Sequence, residues 1–186
     1  MIKKVCIFGS YKELNKENKE EIVCLGKQLA QMGITVMSGG FGGTMEDISR
    51  GAKSAGGKTI GVTCYLWSSK RYKKPNEFID KEIIAKSLPQ RIEIMLKEAD
   101  AFVVFPGGTG TLLELSTALE YINKGLMVPK SIIAVGDYWK PTVSCLKNEP
   151  IFSKEIKNNQ GPFCCSELVT FVSSIEECIE KLNKTQ

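Results

Sequence analysis

Short runs of apolar, largely β-branched residues alternate with longer stretches of helical periodicity along this chain, and that alternation restricts the fold more than any other feature. The runs Val5 to Phe8, Ile34 to Met37, Thr59 to Thr63, Ala101 to Phe105 and Ile132 to Val135 lack polar alternation, as expected of strands buried on both faces. Between them, Lys16 to Met32 closes on Gly33, Met45 to Ala55 on Gly56-Gly57 and Thr111 to Lys124 on Gly125, with Leu88 to Glu98 a further helical stretch. A glycine just past a helical pattern is the usual C-terminal stop. A further element near Leu168 to Val172 and a helix near Ile175 to Leu182 follow, whereas Trp67 to Asp80 reads as a polar, basic loop. Strands alternating with helices of this length form βαβ units. The expected fold is α/β, a Rossmann-like, doubly wound, mostly parallel sheet in a three-layer α/β/α arrangement. With 186 residues, it is read as one domain spanning 1–186.

Composition removes several function classes. At 42% hydrophobic and 25% charged residues, the chain can bury a core and is not a disordered segment. Its 25 basic and 21 acidic residues give a net charge of +4 and are spread along the chain, with one local cluster at Lys70, Arg71, Lys73 and Lys74, so no nucleic-acid partner is implied. No apolar run reaches membrane-spanning length and the start MIKKVCIFG lacks a signal-peptide pattern, so no membrane partner and a cytoplasmic location are expected. The chain has no histidine, which removes Ser-His-Asp and Cys-His hydrolase mechanisms and the common zinc ligand sets. The seven cysteines, Cys6, Cys24, Cys64, Cys145, Cys164, Cys165 and Cys178, are odd in number and lack CxxC spacing, so reduced thiols are expected. Metal catalysis by the familiar protein ligands is therefore not expected.

In an open parallel sheet, ligands bind beyond the carboxyl ends of the strands, so the residues directly after each apolar run carry the most information. Three turns stand out: Gly9-Ser10, then Ser38-Gly39-Gly40-Phe41-Gly42-Gly43-Thr44, then Pro106-Gly107-Gly108-Thr109-Gly110-Thr111. Glycine lets the backbone approach a ligand closely, and each long turn opens into a helix whose free N–H groups and dipole favour an anion. A phosphorylated ligand is the expected occupant, with Ser10, Gly40, Gly42, Gly43, Thr44, Gly107, Gly108, Thr109, Gly110 and Thr111 as substrate-binding candidates. Neither long turn is a GxGxxG fingerprint after the first strand or a GxxxxGK[ST] loop, so NAD redox chemistry and P-loop phosphoryl transfer lose their best signal. Glu114 follows Thr111 closely, where a helix N-terminus would hold its carboxylate in the charged form. Arg91 begins the helix that leads into the strand before this turn.

The residues resemble the Lonely Guy (LOG) family of nucleoside 5′-monophosphate phosphoribohydrolases, proteins also labelled lysine decarboxylases. Val5-Cys6-Ile7-Phe8-Gly9-Ser10 is similar to the family's opening strand and turn, and Gly39-Gly40 with Gly42-Gly43-Thr44-Met45 to its second glycine loop. Pro106-Gly107-Gly108-Thr109-Gly110-Thr111-Leu112-Leu113-Glu114 matches the PGGxGTxxE signature in full, and Arg91 falls where the family has its catalytic arginine. The resemblance implies cleavage of an N-glycosidic bond to free base and ribose 5-phosphate, with Arg91 and Glu114 as the catalytic pair and no cofactor. It implies a nucleoside monophosphate as substrate, AMP or a cytokinin riboside monophosphate, and a homodimer by analogy. The family's Met-His-x-Arg-Lys stretch appears here as Leu88-Pro89-Gln90-Arg91-Ile92, without its histidine and lysine. The alternative is a non-catalytic nucleotide-binding or sensing module of the same superfamily. Lysine decarboxylation is set aside, because pyridoxal chemistry needs a Schiff-base lysine at the ligand edge of the sheet, where this reading finds none.

Overall fold

The computed structural model describes residues 1–12, 15–64, 74–158 and 161–184. Its strands are β1 (Lys4–Phe8), β2 (Thr35–Ser38), β3 (Thr59–Cys64), β4 (Lys81–Ala85), β5 (Ala101–Val104), β6 (Ser131–Val135) and β7 (Val169–Val172). They form one sheet in the order β4-β3-β2-β1-β5-β6-β7, and every neighbouring pair is parallel. The helices are α1 (Lys16–Gln31), α2 (Thr44–Ser54), α3 (Leu88–Glu98), α4 (Thr109–Asn123), α5 (Lys140–Ser144), α6 (Lys154–Asn158) and α7 (Ile175–Lys184). The Rossmann-like, doubly wound fold read from the alternation is therefore present, with every pairing of the sheet parallel.

The period-2 geometry of the central strands divides the core in two. Val5 and Ile7 of β1, with Ala101 and Val103 of β5, face α1, α2 and α7 through Ile22, Leu25, Ile48 and Cys178. Cys6 and Phe8, with Phe102 and Val104, face α3 and α4 through Ile92, Met95, Leu115 and Leu119. Both faces are covered, so the strands read as continuous apolar runs. Phe8 and Phe102 stack across the β1–β5 pair with ring centroids 5.4 Å apart and planes 16° apart.

One strand escapes the hydrophobic pattern. β4 is the sheet edge, and its sequence Lys81-Glu82-Ile83-Ile84-Ala85 buries fully only Ala85, because an edge strand tolerates charge and solvent. The strand Ala101–Val104 is accordingly the fifth of the sheet. The basic loop at Trp67 to Asp80 falls partly outside the described residues, with Lys70, Arg71 and Lys73 among those not described. Its described end packs inward: Asn76 Nδ2 donates to the carbonyls of Gly40 and Phe41 at 3.2 and 2.9 Å. All described cysteines are free thiols, and no helix among the described residues is long and apolar enough to cross a membrane.

Candidate active site

The sheet order reverses at β1 and β5. From β1 the chain crosses through α1 to β2, and from β5 it crosses through α4 to β6 on the other side. The two connections leave on opposite faces, and a crevice opens between them. That crevice is a cleft of about 620 Å³, bounded by the turn after β1 (Gly9, Ser10, Tyr11, Lys12), the α4 N-terminus and one side of α3. Arg91 and Glu114 both line it.

Arg91 owes its position to the start of α3. Ser87 is the N-cap, its hydroxyl accepting from the Gln90 N–H at 3.3 Å, and Pro89 occupies an early position where no helical N–H is needed. The Gln90 side chain reaches back to accept from the Lys86 N–H at 2.6 Å. With the helix start fixed, Arg91 points inward and is 2% exposed. Its Nε donates to the Val62 carbonyl of β3 at 2.7 Å, and one terminal nitrogen lies 3.4 Å from Glu114 Oε1. The guanidinium sits 5.8 Å from the Phe41 ring centroid, and it presses so closely on Gly39 that a β-carbon there would overlap it.

Glu114 differs from its sequence-based reading. α4 begins at Thr109 with Gly108 as N-cap, so no acidic residue lies in its first turn and Glu114 belongs to the second. The helix dipole fades within the first turn. Burial takes over: Glu114 is 9% exposed, and the loss of solvent pushes its carboxyl up to about 7, with Arg91 pulling in the opposite direction. The carboxyl is thus poised near neutrality and is not held firmly charged. Cys6, within electrostatic reach of the pair, has its thiol pushed well above the ordinary range by burial and by Glu114, so it is no thiolate nucleophile.

The α4 N-terminus supplies the anion-facing wall. Gly107, Gly108, Thr109, Gly110 and Thr111 all line the cleft, and the space around the α-carbons of Gly108 and Gly110 is open. The first N–H groups of a helix have no intrahelical acceptor, so this end can take a phosphate oxygen. Ser10 lines the opposite side, its hydroxyl accepting from the Lys12 N–H at 3.0 Å.

The second glycine loop is built differently. Gly40, Gly42, Gly43 and Thr44 are not among the cleft-lining residues. Gly40 and Gly43 have φ of 76° and 64°, a region that favours glycine, and Gly43 presses on the backbone of Ser10, Tyr11 and Lys12. Thr44 is fully buried and its N–H donates to the Ser10 carbonyl at 2.9 Å. Gly42, Gly43 and Thr44 lie against the turn after β1, Gly40 packs on Gly61 and Thr63 of β3, and Gly39 clears space for Arg91.

Sequence reasoning missed Gly39 as a site residue, along with Lys12 and Tyr138, which line the cleft. Gly39 was legible as part of the glycine cluster, but only the fold brings α3 over it. Lys12 adds a cation beside Ser10. Tyr138 follows β6, and its hydroxyl donates to the Gly107 carbonyl at 3.0 Å. Among the described residues no three metal-ligating side chains converge.

A family model described as the SLOG cluster4 family matches residues 2–157. The chain is 35% identical over 124 residues to a protein of Oryza sativa subsp. japonica named probable cytokinin riboside 5′-monophosphate phosphoribohydrolase LOGL5, an alignment covering 61% of this chain and 46% of that protein. It therefore spans less than half the length of that relative. A second rice protein with the same description, LOGL2, is 26% identical over 98% of this chain and 72% of its own length. Among solved structures, the molybdenum cofactor binding protein from Rippkaea orientalis superposes with a TM-score of 0.68 at 26% identity, over 100% of this chain and 98% of that one. The resemblance carried by the PGGxGTxxE stretch is borne out, and the chain belongs to the SLOG cluster4 family.

Proposed function

We propose that the protein hydrolyses the N-glycosidic bond of a nucleoside 5′-monophosphate, releasing the free base and ribose 5-phosphate. The observation that carries this reading is the buried Arg91–Glu114 pair in a cleft whose other wall is the open N-terminus of α4. The names of the rice relatives support the same reaction class.

N-glycoside cleavage proceeds through an oxocarbenium-like transition state. In the proposed step the bond from the sugar C1′ to the base nitrogen breaks, its electron pair leaving with the base. Water adds to C1′ and gives up one proton through Glu114 to solvent, while the departing base nitrogen takes up a proton from solvent, so the neutral free base leaves and Glu114 is again ionised. Glu114, in its ionised form, stabilises the sugar cation and accepts the proton of the attacking water, a role suited to a carboxyl that titrates near 7. Arg91 orients Glu114 and donates to sugar or phosphate oxygens. The N–H groups and hydroxyls from Gly107 to Thr111, with Ser10 opposite, hold the 5′-phosphate, so binding energy far from the scissile bond positions the ribose. Gly42, Gly43 and Thr44 contribute by holding the Ser10 turn, and Gly40 by its close packing on β3. A screen of nucleoside 5′-monophosphates for released base tests this: at least one is cleaved, and the unphosphorylated nucleoside is not. Equal rates on both would remove the phosphate argument.

The resemblance to a molybdenum cofactor binding protein favours a second reading, a binding or sensing module without turnover. The Arg91–Glu114 pair favours hydrolysis, because an ionised carboxylate beside an anion site weakens binding by repulsion while it assists cleavage of the glycosidic bond. Tight nucleotide binding with no base released from any monophosphate would establish the second reading.

A further inference from the structure

Directly after β6, Gly136 takes a φ of 75°, and the turn brings two aromatic side chains onto the loop that follows β5. Trp139, 4% exposed, donates its indole N–H to the Phe105 carbonyl at 2.9 Å. Its neighbour Tyr138 donates its hydroxyl to the Gly107 carbonyl at 3.0 Å. The two rings meet edge to face, with centroids 4.9 Å apart and planes 82° apart. Trp139 is thus anchored in the core and steadies Tyr138, which is 57% exposed and lines the cleft.

The carbonyl that Tyr138 holds belongs to the peptide joining Gly107 to Gly108. In a planar trans peptide the C=O and the following N–H point in opposite directions, and the described chain has no cis bond. Fixing the Gly107 oxygen therefore fixes the direction of the Gly108 N–H. Neither flanking residue carries a β-carbon, so this peptide plane would otherwise rotate at little cost. No protein group among the described residues accepts from the Gly108 N–H. A donor bound at the carbonyl also polarises the peptide and strengthens its N–H.

We infer that Tyr138 is a positioning residue for phosphate recognition: its hydroxyl clamps the Gly107–Gly108 peptide so that the Gly108 N–H is presented, ready-aligned, to the 5′-phosphate. This rests on the phosphate reading of the α4 N-terminus given above, and it adds a residue from the β6 loop to that site.

The test compares wild type with Tyr138→Phe, which keeps the ring and removes the clamp. Calorimetric affinities for ribose 5-phosphate and for ribose are measured alongside nucleotide kinetics and thermal melts. Loss of one neutral hydrogen bond predicts ribose 5-phosphate binding weaker by about three- to tenfold, with ribose affinity unchanged and KM for the nucleotide raised by a larger factor than kcat falls. A purely structural role would shift the melt or affect both sugars equally, and that result overturns the inference, as does unchanged ribose 5-phosphate affinity. If wild type binds ribose 5-phosphate but cleaves no nucleotide, the hydrolase reading fails while the affinity ratio still decides the role of Tyr138. If wild type binds neither ribose 5-phosphate nor orthophosphate, the inference falls.

Discussion

A terminal nitrogen of Arg91 lies where a β-carbon on residue 39 would stand, so the guanidinium and Gly39 fit only as a pair. The Met45 sulfur closes the same space at 2.7 Å. Nothing in the backbone of Gly39 demands glycine, since it is absent from the positive-φ residues. Its requirement comes from the arginine that α3 lays across it.

Gly39→Ala is therefore expected to fold and to displace the Arg91 guanidinium from Glu114. Misplacing a catalytic group by about 1 Å costs on the order of a hundredfold in rate, whereas a methyl forced into a packed site costs about 1–3 kcal/mol of stability. Steady-state kinetics with a thermal melt check this. A variant with wild-type kcat would show that the guanidinium position has no bearing on turnover.

Glu114→Gln keeps the shape of the side chain and removes its charge. Turnover should drop by roughly a hundredfold or more, the scale seen when transition-state charge stabilisation is removed. Ribose 5-phosphate affinity should survive, since the α4 N-terminus is untouched. Single-turnover base release and calorimetry on the same preparation separate the two effects. Retained turnover would reduce Glu114 to a buried structural partner of Arg91.

The acidic limb of the kcat profile should reflect the same carboxyl. Burial pushes Glu114 up to about 7 against the pull of Arg91, and the proposed step needs it ionised. Below that pH the ionised fraction drops about tenfold per unit, so kcat at pH 6 should be about a tenth of its plateau above pH 8. A flat profile from pH 5 to 8 would mean either that Arg91 keeps Glu114 ionised throughout or that the carboxylate takes no part in turnover, and the Glu114→Gln rate separates the two.

Much of this site was legible as sequence, because its parts are local. Gly107 to Thr111 form one turn and helix start, and periodicity alone marks α4. The charge state of Glu114 was not, because it depends on where α4 begins and on what covers it. Moving the helix start from Thr111 to Thr109 puts Glu114 in the second turn, and burial then outweighs the dipole. β4 was missed for the opposite reason: an edge strand ending the sheet needs little apolar character, so Lys81 and Glu82 hid it. Gly39 meets Arg91, and Tyr138 meets the Gly107 turn, only through tertiary contacts between segments far apart in the chain.

The raised Glu114 value also sets a sign for stability. Unfolded, this carboxyl titrates near its ordinary value of 4.5, and folded it titrates near 7. Between those values the folded state holds more protons than the unfolded state, so the slope of unfolding free energy with pH is negative. Its contribution is fully present below about 4.5, is lost as pH rises through 7, and is flat above that. Glu114→Gln mimics the protonated form at every pH and lacks this loss. The variant's melting temperature relative to wild type should accordingly climb from pH 5 to pH 8, by the equivalent of about 1–3 kcal/mol for a shift of this size. Paired melts at those two pH values measure it. A gap that stays constant or shrinks would mean that the carboxyl is already ionised at pH 5 and that Arg91, not burial, governs it.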